Sequence, residues 1–151
     1  MHIILLGIMT GLFTGIMMTV QGAINAALAS KIGTYGSVLI VTFVNLILVS
    51  FLMFIIPNAI SLQNLPGWNR WYLYLGGVLG VFILASINII LPRFGATLGF
   101  IYLIGGQLVA AVIIDNFGLF GLEKTPVDIT KIIGITMFIS GAYLVTVQKI
   151  H

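Results

Sequence analysis

The chain has 151 residues, is 60% hydrophobic and is charged at only 6% of its positions. A soluble domain is about 45–50% apolar and about 25% charged, so a water-facing surface is excluded for most of this chain and its solvent is lipid. The net charge of +3 then says little about nucleic acid, and the six Lys and Arg are read as topology signals.

A spanning helix needs about 20 mostly apolar residues. The first span is expected over residues 3–29, in a stretch that carries no charge until Lys31. That stretch is much longer than the 7–15-residue apolar core of a signal peptide and lacks its basic start, so an uncleaved span is expected despite the small residues Ala27-Leu28-Ala29. The second span covers 35–56 and stops at Pro57. A polar connector follows, NAISLQNLPGWNR, ending at Arg70. The third span covers 71–92 and is closed by Pro92. The fourth, 95–115, fills the 21 residues between Arg93 and Asp115, about 31 Å of helix at 1.5 Å per residue. Those two charges therefore mark opposite membrane surfaces. The fifth span, 127–148, starts in TPVDITK, where Thr125 suits a cap, Pro126 the first helical position and Asp128 the first turn. The expectation is one all-α integral membrane domain over 1–151 with five transmembrane helices.

Five spans put the termini on opposite sides. The side of the N-terminus carries Arg70, Lys124 and Lys131; the other carries Lys31, Arg93 and Lys149. A balanced count gives insertion little basis for choosing an orientation. It points to dual topology, with copies inserted both ways and paired as an antiparallel, inverted dimer that forms a ten-helix bundle. The competing reading is a small-number accident, with the N-terminal amine or a partner chain deciding. Small residues offer close contacts: Gly7, Gly11 and Gly15 continue through Thr19, Ala23 and Ala27, and Gly76–Gly80 and Gly95–Gly99 repeat the spacing. Gly134 and Gly141, seven apart on one face of the last span, suit a dimer contact. Trp68, Trp71, Tyr72 and Tyr74 cluster where a span meets the surface and read as an interfacial anchor in preference to an aromatic cage.

Counted from the charged markers, Gln21, Asn45 and Gln107 fall near the midplane, with Tyr102 close to that level and Asn25 and Asn88 nearer one surface. Singly, each amide has a bland explanation, an interhelical hydrogen bond worth about 1 kcal/mol. Together they suggest a shared polar cavity at the depth where transporters bind substrate. Asp115 is the first acidic residue of the chain, and it stands at a helix C-terminus, where the macrodipole disfavours an anion. It reads either as one half of an ion pair, with Lys124, Lys131, Arg70 or a base of an inverted copy, or as a gate or coupling carboxylate.

The motifs QGAINAALASKIG, GGVLG, LPRFGATLGF and GGQLVAAVIIDNFGLFG make nearly the whole chain resemble the YdcZ-type five-span family of the drug/metabolite transporter superfamily. The resemblance implies that Gln21 and Asn25 form a first-span polar pair and Gln107 and Asp115 a fourth-span pair. It also implies homo- or heterodimers of inverted halves, in a bacterial inner membrane. Two positions depart from the family pattern: Asn116 stands where relatives carry His, and Asn45 where they carry Gly. In size and in its Gly134–Gly141 spacing the chain also resembles the small multidrug resistance proteins, but it lacks their first-span glutamate, which argues against proton/cation exchange of that type.

The expected function is a secondary transporter, an exporter of a small polar or amphipathic metabolite. Gln21, Asn25, Asn45, Asn88, Tyr102 and Gln107 would bind substrate, Asp115 would act as gate or coupling group, and Gly134 and Gly141 would meet the partner copy. The alternatives are half of a heterodimer with a paralogous five-span chain, a non-transporting accessory or scaffold protein, and a lipid flippase. No P-loop and no nucleophile with its base is found, so no enzyme, no cofactor and no nucleic-acid partner is expected. Zero cysteines exclude thiolate metal sites, and His2 and His151 lie too far apart in sequence to suggest another. Dual topology is open to test: reporters fused at the C-terminus are expected on both sides of the membrane, and a single orientation in cells lacking a partner gene would refute it.

Overall fold

In lipid a backbone must satisfy its own hydrogen bonds, and a helix does so within one segment. The computed structural model, which describes residues 2–57 and 61–147, is built on that solution. Four helices, α1 (His2–Ile32), α2 (Thr34–Ile55), α3 (Leu75–Phe117) and α4 (Ile129–Val147), are joined by short 3-10 turns at Leu62–Asn64, Trp68–Tyr74 and Leu119–Gly121. All four are long and apolar enough to cross a membrane, and no strand occurs among the described residues.

α3 holds the main departure from the predicted boundaries. Its 43 residues would run about 65 Å if straight, twice the roughly 30 Å of a hydrocarbon core. Pro92 was expected to close a span, yet the helix continues through it. A proline removes one N–H and crowds the preceding turn, which weakens a helix without always ending it. The break comes at Gly95 (φ 78°, ψ 168°), a backbone conformation that is essentially restricted to glycine. Residues 71–74, expected to open the third span, instead belong to the 3-10 segment Trp68–Tyr74 that precedes α3. Lys149 and the end of the fifth predicted span lie outside the described residues.

The chain divides into two compact units, one ending at Arg93 and the other starting at Phe94. In the first unit α1 and α2 form a hairpin around Gly33, whose φ of 83° and ψ of 159° again require glycine. The Gly33 N–H donates to Ala29 C=O at 2.8 Å, and its carbonyl accepts from Ser37 N–H at 3.0 Å. The covered face of α1 is Gly22, Asn25, Ala26 and Ala29, small residues at helical spacing that admit a close neighbour. Ser37 on α2 is fully buried and its hydroxyl donates to Asn25 C=O at 2.9 Å. Ala85, Asn88 and Leu91 are the buried positions of the first part of α3 at the same spacing.

The predicted glycine ridge is not this face. A Cβ placed at Gly7, Gly11 or Gly15 would meet nothing within 4 Å, and the same holds for Gly76, Gly80, Gly134 and Gly141. Within one chain these glycines pack against nothing. Most large apolar side chains are likewise exposed, Phe54 and Ile3 among the most, as the composition requires of a chain whose surroundings are lipid.

In the second unit the link from α3 to α4 is tied down by backbone groups. The Asp115 carbonyl accepts from Gly118 N–H at 3.3 Å and from Thr125 N–H at 2.9 Å. Gly118 adopts the left-handed conformation, φ 62° and ψ 41°, that commonly ends a helix. The start of α4 differs from the expected one: its cap is Asp128, not Thr125. Asp128 Oδ1 accepts from Lys131 N–H at 2.8 Å and its carbonyl accepts from Ile132 N–H at 3.1 Å, the side-chain-to-third-residue pattern of an N-cap.

Gly33→Ala is expected to destabilise the first unit by about 1–3 kcal/mol, the cost of an L-residue in that backbone region. Unfolding of the detergent-solubilised protein by titrated SDS measures it, and an unchanged midpoint would show that the hairpin does not depend on this turn.

Candidate functional site

Several helix hydroxyls are satisfied within their own helix, whereas three amides are not. Thr10, Thr14 and Thr19 on α1 donate to carbonyls one turn back, at 2.8–3.0 Å. Thr136, Ser140 and Thr146 do the same on α4. Each is therefore satisfied by its own helix. Gln21, Asn45 and Gln107 are exposed and, among the described residues, make no hydrogen bond. An amide left so in hydrocarbon costs several kcal/mol.

The two asparagines placed nearer one surface are buried. Asn25 is 5% exposed and Asn88 is 4%. Asn88 Nδ2 donates to the Thr34 carbonyl at the start of α2, a long bond of 3.4 Å, while its Oδ1 is buried and has no partner. The structure thus brings Asn88 to the same turn that Ser37 ties to Asn25, so this turn is a polar node inside the first unit. Gln21 and Asn25, predicted to share a face, differ in cover: Asn25 lies beneath the hairpin and Gln21 stands open.

In the second unit, Tyr102 packs edge-on against Phe94, with ring centres 5.8 Å apart and planes at 81°. The pair reaches across the Gly95 break and braces the helix segment that follows it. Gln107 is five residues further on, in the exposed stretch before Asp115.

Asp115 finds its base within its own chain. Lys131 Nζ lies 4.0 Å from Asp115 Oδ2, with the two side chains 32% and 45% exposed respectively. Of the candidates named from the sequence, Lys131 is the one in reach. The ammonium is shared: it also donates to the Thr125 carbonyl at 2.8 Å and to Thr125 Oγ1 at 3.0 Å. At that distance and exposure the ion pair is weak, and the carboxylate keeps acceptor capacity to spare. Asn116 has a structural task here: its Oδ1 accepts from Val127 N–H at 3.3 Å.

Sequence reasoning missed the buried hydroxyl of Ser37, the capping role of Asp128 and the docking of Lys131 onto Thr125. The signal for the first was the Gly33 interruption between two apolar runs, which puts residues on either side of the turn within reach. The signal for the second was the Asp three residues before Lys131, an ordinary cap spacing.

These features define an all-α, multi-pass membrane protein whose unsatisfied polar groups include amides on otherwise apolar helices. The chain belongs to the family described as "Putative inner membrane exporter, YdcZ", whose model matches residues 6–144. No curated protein and no solved structure matches it.

The α3–α4 link offers a graded test. Asp128→Ala, which removes the 2.8 Å capping bond, is expected to cost about 1 kcal/mol. Asp115→Asn is expected to change stability by less than about 1 kcal/mol, as for exposed ion pairs generally. SDS-titrated unfolding of both variants checks the order, and a larger loss for Asp115→Asn would make that pair structural.

Proposed function

We propose that the chain is one half of an exporter of small polar or amphipathic metabolites, working in the inner membrane as an antiparallel dimer of five-span copies. The observation that carries this reading is the set of exposed, unpartnered amides at Gln21, Asn45 and Gln107. Three such groups on three helices would each be costly against lipid. A water-filled cavity enclosed by a second copy removes that cost, and the spacing of the three from the charged helix ends puts them near one depth. The break at Gly95 supports the five-span count, since each part of α3 then has about the 20 residues that one crossing needs. The open glycines of α1 and α4 support a second chain, because a bare helix face gains van der Waals contact only when another helix covers it.

In this reading Gln21, Asn45 and Gln107 hydrogen-bond the substrate, with Tyr102 close to the same level. Asn88 offers its free Oδ1, and with Asn25 it forms the part of the site nearer one surface. Neutral amides suit polar groups better than a bare charge, and they bind without fixing a counter-ion. Asp115 acts as gate or coupling group: its 4.0 Å link to Lys131 is weak enough to be exchanged for another partner. Gly134 and Gly141 meet the partner copy. The balanced basic residues allow both orientations, so identical chains form the inverted repeat on which alternating access is commonly built. The family's description as an exporter supports the outward direction of this reading.

A thermal-shift screen of the purified protein against small polar metabolites tests the cavity. A stabilising ligand is expected to lose most of its effect with Gln21→Ala and with Gln107→Ala, about tenfold in affinity for each hydrogen bond of roughly 1.4 kcal/mol. Stabilisation that survives both substitutions would argue against the shared site. The dimer is tested separately, because the chain has no cysteine of its own. Gly141→Cys is expected to give a disulfide-linked species of twice the chain mass on oxidation in membranes, and a chain that stays monomeric under cross-linking at both Gly134→Cys and Gly141→Cys would count against this interface.

A further inference from the structure

The connector between α2 and α3 carries a groove that the transport reading does not use. Trp68–Tyr74 is a 3-10 segment kinked at Arg70, whose φ of −115° and ψ of 32° are not helical. Trp68, Trp71 and Tyr74 lie on both sides of the kink, and with Pro66 and Gly67 they line one depression of about 520 Å³. Its rim is fixed from both ends: Tyr74 Oη donates to the Pro66 carbonyl at 2.8 Å, and Arg70 N–H donates to the Gly67 carbonyl at 2.9 Å. The aromatic wall is nonetheless open, with Trp68 93% and Trp71 58% exposed. The segment joins two helices that are each long and apolar enough to cross a membrane, which places it at the water–lipid boundary, where amphipathic rings are stable.

One charge accompanies these rings. Arg70 is the only charged residue between Lys31 and Arg93, and among the described residues it has no ion-pair partner. It stands within the turn itself, between the two tryptophans.

We propose that this groove is a binding seat for an anionic phospholipid, with the phosphodiester on the Arg70 guanidinium and the adjoining glycerol and upper acyl chain against Trp68, Trp71 and Tyr74. Two observations select this occupant. The guanidinium presents a planar fork of donors suited to phosphate oxygens, and a basic side chain at a membrane surface is drawn to anionic lipid. The groove lined by Arg70's neighbours in the chain is apolar and aromatic, so a soluble anion would leave it in water, whereas a lipid held at Arg70 has a tail to cover it. A cationic headgroup, which tryptophan faces attract, would face Arg70, which has no carboxylate paired with it among the described residues.

The sequence supplies the probe. Trp68 and Trp71 are the chain's two tryptophans, so intrinsic tryptophan fluorescence reports on this groove directly. The protein is reconstituted in phosphatidylcholine vesicles, into which brominated phosphatidylglycerol or brominated phosphatidylcholine is titrated as quencher. Phosphatidylglycerol is expected to quench at about fivefold lower mole fraction, the preference that one basic residue confers at an anionic surface. Arg70→Gln is expected to bring the two lipids level, while Lys31→Gln, which removes a charge from another loop, leaves the preference intact. Equal quenching of the wild-type protein by the two lipids, or stronger quenching by phosphatidylcholine, overturns the proposal whatever the yield of the variants. An equal loss of preference in both variants also overturns it, because the effect would then be general charge attraction and not a seat at Arg70.

Discussion

Every polar group of this chain must be satisfied without bulk water over most of its length, and that requirement organises the structure from backbone to site. The backbone meets it with four long helices. The hydroxyls of Thr10, Thr14, Thr136 and Ser140 meet it one turn back on their own helix. The link between α3 and α4 meets it with the Asp115 carbonyl, the Asn116 amide and the Asp128 cap. Among the groups left without a partner in the described residues are the amides of Gln21, Asn45 and Gln107 and one oxygen of Asn88, beside helix hydroxyls such as those of Thr42, Ser50, Ser86 and Thr97. The amides have the most to gain from a substrate, water or a second chain, because each carries both donors and an acceptor.

Small residues show the same division between use and reserve. Gly22, Ala26 and Ala29 let α2 approach α1 closely enough for Ser37 to reach the Asn25 carbonyl. Gly7, Gly11 and Gly15, on the same helix and as regularly spaced, touch nothing. The difference is one of position along the hairpin: near Gly33 the two helices are held together by the turn. Glycine is costly in a helix interior, by about 1 kcal/mol relative to alanine. A ridge of open glycines is therefore unfavourable for an isolated chain and reasonable for one that is covered by another.

Much of the fold was legible in the sequence because its strongest signal, apolar length, is set by lipid and not by neighbours. The starts and ends of α1 and α2 lie within a few residues of the expected ones. The errors fall where local chemistry competes. Pro92 looked like a stop, but a proline only removes one bond, whereas Gly95 takes a conformation that no helix continues. Thr125 and Asp128 are both able to cap, and the choice between them fell to Asp128, because Thr125 is engaged by the Lys131 ammonium and its N–H by the Asp115 carbonyl. The candidate amides were legible as polar residues in apolar runs. Which were covered was not: Gln21 and Asn25 are four residues apart on one helix, yet only Asn25 is buried.

By itself the sequence determined the solvent, the helical class and the family, since composition, span length and motif are properties of a linear string. It also fixed the near-absence of charge that makes Arg70, Asp115 and the amides conspicuous. Only the tertiary structure decided which polar groups are spent on the fold and which remain available. It gave Asp115 a weak partner in Lys131 and tied Asn88 to the α1–α2 turn with one oxygen unused. It also left Gln21, Asn45 and Gln107 open. The reason is that burial and hydrogen-bond partnership belong to pairs of segments: a residue's type says what it needs, and only the placement of a second segment says whether that need is met.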